Sequence, residues 1–319
     1  MPRLKMLIGL PGSGKSTYAR RMVKTEPGWV HLSSDQIAHG KFEIGQPIHH
    51  REVFEEMYQQ TVFSLKAGHD VIYDATNLAS SKRKNFLNRI QKLEARTEAV
   101  IFWTPYEILK QRNQKRTDRE RVPEAILERY IRSFEFPRKD EKFHKVSILS
   151  DFKTSLAPQN IQPIRHLMQK EAASFEEILA LYATFKETKA LSNQEEMSKI
   201  INCMYTLFKQ IHLEALDPKE RELLSWAALL HDIGKPYVRK HLPLEKDNFY
   251  GHEHVSMYLA YPILSSLQYA KPFIFDVLLL IDEHRLALTM KRGKIRRRIG
   301  DENYARLQFL LEKLENAIE

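Results

Sequence analysis

Leu4-Lys-Met-Leu-Ile-Gly9-Leu-Pro-Gly-Ser-Gly-Lys-Ser16-Thr17 decides the fold of the first half of the chain. A short apolar run meets a G-x-x-x-x-G-K-S/T pattern and then a helical stretch, the strand–loop–helix context that this pattern requires. The glycines let backbone N–H groups turn inward around an anion with no Cβ in the way. The helix that follows adds partial positive charge at its N-terminus. Gly9, Pro11, Gly12, Ser13, Gly14, Lys15, Ser16 and Thr17 are therefore the expected residues of a nucleoside triphosphate site. Lys15 is placed to reach the β- and γ-phosphates, and the Ser16 hydroxyl to enter a Mg²⁺ shell.

Outward from this loop, β-rich runs at Leu4–Ile8, Val30–Leu32, Val71–Tyr73, Ile101–Trp103 and Val146–Leu149 alternate with helical stretches. Such alternation predicts a parallel sheet covered by helices on both faces. Ligands of these sheets lie at the carboxyl ends of the strands. There the second and third runs deliver Ser33-Ser34-Asp35 and Asp74-Ala-Thr-Asn77. One carboxylate can accept a proton from an attacking hydroxyl while the other helps hold a metal. The residues leave open that Asp35 is only a helix cap. Lys110–Arg121 carries six cations against two acids, so that one or two of its arginines can close over a triphosphate.

The second half has almost no strand signal. Ser174–Glu177 and Asp217–Glu220 both read as helix starts with reciprocal caps, and helices are expected near 175–186, 194–211, 218–232, 253–266, 272–283 and 302–317. A length of 319 residues suggests about two domains. We place them at 1–152 and 174–319, joined by a connector over 153–173 that contains Pro158 and Pro163. Lys plus Arg at 50 against Asp plus Glu at 41 gives a net charge of +9, which favours polyanionic partners such as nucleic acid or nucleotides. The single cysteine, Cys203, excludes an internal disulfide framework and a cysteine-built zinc site. The longest apolar run, Phe273–Ile281, is too short to span a bilayer, and the N-terminus lacks the apolar core of a signal peptide. A cytoplasmic protein with no membrane partner is expected.

The set GLPGSGKST, SSDQ, YDATNL and KQRNQKR with VPEAIL resembles the P-loop polynucleotide 5′-kinases of phage and bacterial RNA repair, over about residues 3–150. The resemblance implies an α/β P-loop kinase domain that uses ATP or another nucleoside triphosphate with Mg²⁺. Its substrates would be 5′-hydroxyl ends of RNA or DNA, with a nucleic-acid ligase acting downstream. It implies Asp35 as general base, Lys15 and Ser16 as phosphate and metal ligands, and Arg116 as the lid arginine. Arg112 would lie at the nucleotide and Asp74 at the metal. The family's arginine three residues after the general base is Ala38 here, which leaves His39, Lys41 or Arg51 to meet the acceptor. The residues alone also admit a kinase of a small-molecule hydroxyl, such as a nucleoside or sugar. A third reading is an RNA-binding module switched by nucleotide without transfer.

Ala227–Pro236 places an apolar helix before the adjacent pair His231-Asp232, and Phe249-Tyr-Gly-His252-Glu-His254 and Ile281-Asp-Glu-His284 follow. Imidazole with carboxylate suits Mn, Ni, Fe or Mg. These motifs resemble the HD-superfamily metal phosphohydrolases, in the version attached to bacterial CCA-adding tRNA nucleotidyltransferases. That implies an all-α HD-like domain with a second divalent metal. His231 and Asp232 would be ligands, and His252 and His284 would contact metal or phosphate. Two further ligands of that family have no counterpart: Ser192–Lys209 contains no histidine, and Leu314 and Asn316 stand where a late aspartate is expected. The expectation is a degenerate HD domain with weak or absent phosphohydrolase activity. Lys291–Arg298, with six cations and no acid, reads equally as a track for a phosphate backbone and as a solvated loop.

Overall fold

The computed structural model describes residues 1–319 except 43–48, 118–119, 153–155, 171–172, 192–196, 239–248 and 319. Asp118 and Arg119 of the basic stretch, and the start of the helix expected over 194–211, lie outside the described residues. The chain divides into two compact units. One holds Met1–Tyr130 and Glu141–Phe152, the other Ile131–Asp140 and Lys153–Glu319.

The first unit is an α/β fold as expected. Its elements are β1 (Arg3–Ile8), α1 (Lys15–Thr25), β2 (Trp29–Ser33), α2 (Ser34–Lys41), α3 (His50–Lys66), β3 (Asp70–Asp74), α4 (Ser80–Ile90), β4 (Arg96–Trp103), α5 (Tyr106–Gln114), α6 (Glu124–Ile131) and β5 (Lys145–Ser150). The five strands are all parallel in the order β2-β3-β1-β4-β5. Leu7, Ile72, Val100 and Phe102 of the sheet pack against Ala19, Met22 and Trp29 to form one core layer. Register is what positions a site: Leu7 pairs with Asp74, and Asp74 with Ser33. Three strands therefore end at one level, where the phosphate loop and both predicted carboxylates emerge.

The second unit is helical: α7 (Pro158–Leu167), α8 (Phe175–Thr184), α9 (Met197–His212), α10 (Pro218–Leu230), α11 (Lys235–Val238), α12 (His252–Ser266), α13 (Lys271–Glu283), α14 (Arg292–Ile299) and α15 (Asp301–Ile318). α7 falls inside the stretch read as a connector, and its Ile161 is buried. The basic run read as track or loop is a helix, α14, because Ile295 and Ile299 lie four apart and bury one face. Ser174 and Glu177 form the expected reciprocal cap of α8. The corresponding cap of α10 is one-sided. Asp217 accepts from the Lys219 N–H, while Arg306 takes the Glu220 carboxylate at 2.7 and 2.8 Å.

α10 is the central helix: every residue from Glu222 to Leu230 is buried. A helix with no solvated face must satisfy its polar groups internally. Glu222 accepts from Tyr269 at 2.5 Å, and Tyr269 in turn accepts from the Trp226 indole at 2.7 Å.

Residues 131–140 belong to this helical unit although β5 of the first unit follows them in sequence. Phe134 stacks edge-on against Tyr258 and Phe136 against Phe275. Arg138, 3% exposed, donates to Asp282 at 2.9 Å and to Glu283. Local periodicity carries no sign of this, because the partners lie some 140 residues away. Removing one member of a buried ion pair strands the others, at a cost of about 3–5 kcal/mol. Arg138→Ala is thus expected to destabilise the helical unit by that amount, read from its urea unfolding transition, while the nucleotide affinity of the first unit changes little.

Candidate functional site

The phosphate loop is built by close backbone approach. A Cβ on Gly9 would sit 2.9 Å from the Phe102 carbonyl oxygen and from Ser13 Oγ, so only glycine fits. Gly14 caps α1 at φ 93°, a left-handed conformation that costs glycine nothing. The Gly9 N–H donates to the Thr76 carbonyl, and Asn77 Nδ2 donates to the Leu7 carbonyl at 2.7 Å, so the end of β3 is tied to the start of the loop. Pro11, Gly12 and Ser16 are half-buried in the loop, and Thr17 is exposed on α1.

Lys15 is buried, and its Nζ donates to the carbonyls of Gly9 at 2.8 Å and Leu10 at 2.9 Å. Burial pushes its ammonium down to about 8; Asp74 and Asp35 pull it up, and Arg116 pushes it down. Lys15, both strand-end carboxylates and Arg116 thus share one electrostatic neighbourhood. Asp35 is exposed in the first turn of α2, and Ser33, not Asp35, caps that helix by accepting from the Gln36 N–H. The carboxylate is left available for a substrate. Asp74 is 3% exposed and lies 2.9 Å from His31 Nε2. Arg112 donates to the Gly12 carbonyl at 3.3 Å and pairs with Asp151 at 2.7 Å, while Arg116 lies 3.9 Å from Glu120.

Ala38 is buried, so no contact to an acceptor comes from that position. Of the substitutes considered, Lys41 lies 3.8 Å from Glu52, and His39 and Arg51 are exposed. His31 and Asn77 are the residues that the motif reading passed over. A histidine in the otherwise apolar run Trp29-Val-His-Leu32 was the one available signal.

In the helical unit the ends of three helices meet. His231 and Asp232 follow α10, His252 opens α12, and His284 closes α13. All four are buried. The Nδ1 atoms of His231, His252 and His284 lie 2.8, 2.8 and 2.7 Å from the carbonyls of Ala228, Phe249 and Ile281. A carbonyl only accepts, so each ring keeps a proton on Nδ1 and turns its Nε2 inward. Burial pushes the His284 imidazole down to about 3. Its Nε2 lies 3.2 Å from His252 Nε2 and 4.0 Å from Asp232 Oδ1, and His252 Nε2 is 3.0 Å from the same oxygen.

With both imidazoles neutral, the Nε2 atoms of His252 and His284 and the buried Asp232 Oδ1 would face one another as acceptors. A cation resolves such an arrangement. Asp232, His252 and His284 offer ligand atoms that lie within 4.8 Å of one another. Imidazole nitrogen with carboxylate oxygen is a donor set for Mn, Fe, Co, Ni or Zn. His231 Nε2 meets the other carboxylate oxygen, Asp232 Oδ2, at 3.2 Å, and Lys235 donates to it at 2.6 Å.

Burial works against the charge of Asp232, yet its contacts with His231, His252 and Lys235 hold its carboxyl well below the usual range. Gly234 makes the cluster compact: a Cβ there would sit 2.5 Å from the His252 carbonyl and from the Ser256 nitrogen. Behind the cluster, His254 Nδ1 meets Asp282 at 2.6 Å. α9 brings Cys203, half-buried, within electrostatic reach of Asp232, and burial and that negative charge push its thiol up. Cys203 stands 28 residues before His231, close to where the resemblance expects a histidine.

Among known families, residues 4–137 match the model of an AAA domain and residues 195–317 that of an HD domain. Over 147 residues the chain is 26% identical to the transcription factor bHLH140 of Arabidopsis thaliana, covering 44% of this chain and 15% of that protein. A chain of the Pnkp1/Rnl/Hen1 RNA repair complex is 28% identical, over 42% of this chain and 44% of that one, with a TM-score of 0.38. A fungal RNA kinase is 15% identical over 68% of this chain and 98% of its own, with a TM-score of 0.37. The chain thus spans less than half the length of the first two. No helix among the described residues is long and apolar enough to cross a membrane.

Two measurements check these sites. Phosphates compensate the charge of Lys15, so nucleotide binding is expected to raise its pKa from about 8 toward the ordinary 10.5. Between those values binding takes up a proton, and affinity falls about tenfold per pH unit; below about 8 it is flat. Calorimetry in buffers of different ionisation enthalpy reads the proton directly. In the helical unit, Asp232→Asn is expected to weaken Mn²⁺ binding to nucleotide-free, chelator-treated protein by more than about 100-fold, beyond the usual loss from an outer-shell change.

Proposed function

We propose that this chain, an AAA-type P-loop domain followed by an HD domain, is an ATP-dependent kinase of polynucleotide 5′-hydroxyl ends that acts in RNA end repair. The observation that carries this reading is the convergence of Asp35, Asp74 and Arg116 on the charge of Lys15. Asp35 accepts the proton of the attacking 5′-hydroxyl, a role that suits an exposed carboxylate relieved of capping. Lys15 leaves the carbonyls of Gly9 and Leu10 for the β- and γ-phosphates, and loop N–H groups hold the donor in line. Arg116 meets the charge that develops on the transferring group, while Arg112 braces the loop through Gly12. His31 fixes Asp74, which with the Ser16 hydroxyl would hold Mg²⁺; that ion, when bound, neutralises phosphate charge. A 5′-phosphate is the end that a nucleic-acid ligase consumes, which supports a ligase as the downstream partner.

In the helical unit we assign a divalent ion to Asp232, His252 and His284, with His231 beside them. Such an ion, when bound, acidifies a water for attack on a phosphate ester. The sequence alone suggested a degenerate centre because two ligands could not be found by spacing. The converging lone pairs favour a loaded one, acting on phosphate esters at nucleic-acid ends.

Asp35→Asn is expected to lower kcat for transfer to a 5′-hydroxyl oligonucleotide by about 10²- to 10⁴-fold, with ATP affinity changed less than about twofold. Transfer to free nucleosides or sugars alone would defeat the polynucleotide reading. Tight RNA binding without any transfer would favour the nucleotide-switched module.

A further inference from the structure

The last turn of α13 points three consecutive residues in three directions. His284 enters the metal-binding cluster. Glu283, fully buried, is gripped by Arg298 of α14 through Nε at 3.0 Å and Nη2 at 2.9 Å. The Arg285 guanidinium lies 5.5 Å from the ring of Tyr250, which is 72% exposed and two residues before His252. α14 is therefore locked by a buried ion pair one residue from the cluster, and its outer face is cationic. Lys291, Arg292, Lys294, Arg296 and Arg297 are exposed. Arg296 spends its charge on Asp301 at 2.5 Å. Among the described residues, no carboxylate lies within ion-pair distance of Lys291, Arg292, Lys294 or Arg297.

An anchored helix with four exposed cations that no carboxylate among the described residues pairs suits a polyanion. Two residues after the Glu283 that anchors it, the Arg285 guanidinium backs the exposed ring of Tyr250. Rings of this kind stack unpaired bases, which a duplex does not offer.

We propose that α14 and Tyr250 form the docking surface for a single-stranded polynucleotide whose end is processed in the His–Asp cluster. Phosphodiester groups run along Lys291, Arg292, Lys294 and Arg297, and a terminal base stacks on Tyr250. This deepens the assignment of the helical unit and rests on the nucleic-acid reading of the chain.

The test is fluorescence anisotropy of an internally labelled single-stranded RNA of about 12 nucleotides with the full-length protein, across a KCl series. A matched DNA and anionic phospholipid vesicles serve as further probes. Each phosphate contact on a single strand contributes about 0.7 to the slope of log K against log salt. K291A/R292A/K294A/R297A should flatten that slope by roughly 2–3 and weaken binding at low salt on the order of 100-fold, at an unchanged thermal midpoint. The pairwise variants K291A/R292A and K294A/R297A should each give about half the change. Tyr250→Ala should weaken binding about tenfold with the slope intact, and Tyr250→Phe should restore it. An unchanged slope in the α14 variants overturns the inference, as does a loss confined to vesicles. The same preparations are assayed for γ-phosphate transfer to 5′-hydroxyl ends. An α14-dependent slope without transfer upholds this surface and defeats the kinase reading. Transfer without an α14 effect does the reverse.

Discussion

Parallel pairing in the first unit ends β1, β2 and β3 at one level, because Leu7, Asp74 and Ser33 are register partners. A parallel sheet sends every strand out on the same side, so whatever follows those three residues is gathered at one edge. The phosphate loop, the Asp35 turn and the Asp74 turn are what follow. Buried Lys15 then sits among Asp74, Asp35 and Arg116 with no bulk water to screen it, and its lowered pKa records the cost of holding that charge ready. A helix cap supplied by Ser33 and a tether supplied by His31 are small details that leave one carboxylate available and hold the other still.

The helical unit meets a related constraint by different means. α10 is buried along nine consecutive residues, and the residues at its end, His231 and Asp232, are buried with it. Three backbone carbonyls fix three Nδ1 protons and turn three Nε2 atoms toward the Asp232 carboxylate. The surrounding layer is ionic as well: Arg138, Asp282, Glu283, His254 and Arg298 form one connected set, and it draws on a segment that the chain order would assign elsewhere. Buried polar networks of this kind hold a single arrangement only when every member is satisfied. Asp232 Oδ1 is among the buried oxygens left over, and it is the one that a metal would take.

Much of this was legible in the residues. Strand and helix periods located all five strands and most of the helices, because alternation and 3.6-residue spacing are local properties. The loop glycines, Lys15, Ser16, Asp35, Asp74 and the His231-Asp232 pair could be picked out because their chemistry is tied to short spacings. The metal cluster was legible in part, since the resemblance named His231, Asp232, His252 and His284. Spacing along the chain could not tell that the helix ends carrying them converge on Asp232. It also passed over Cys203, because a motif names residue types and not neighbours. α14 was left as either track or loop since only two isoleucines mark its buried face.

The amino-acid order by itself determined the two kinds of unit, the phosphate loop and the residue types able to hold metal. These follow from backbone sterics and hydrophobic period acting over a few residues. Tertiary structure alone decided that Ile131–Asp140 joins the helical unit, that Ser33 relieves Asp35 of capping, and that α14 is anchored beside His284 with its cations outward. Each depends on partners far apart in sequence, and burial sets their energies through the loss of water around charges that no local pattern records.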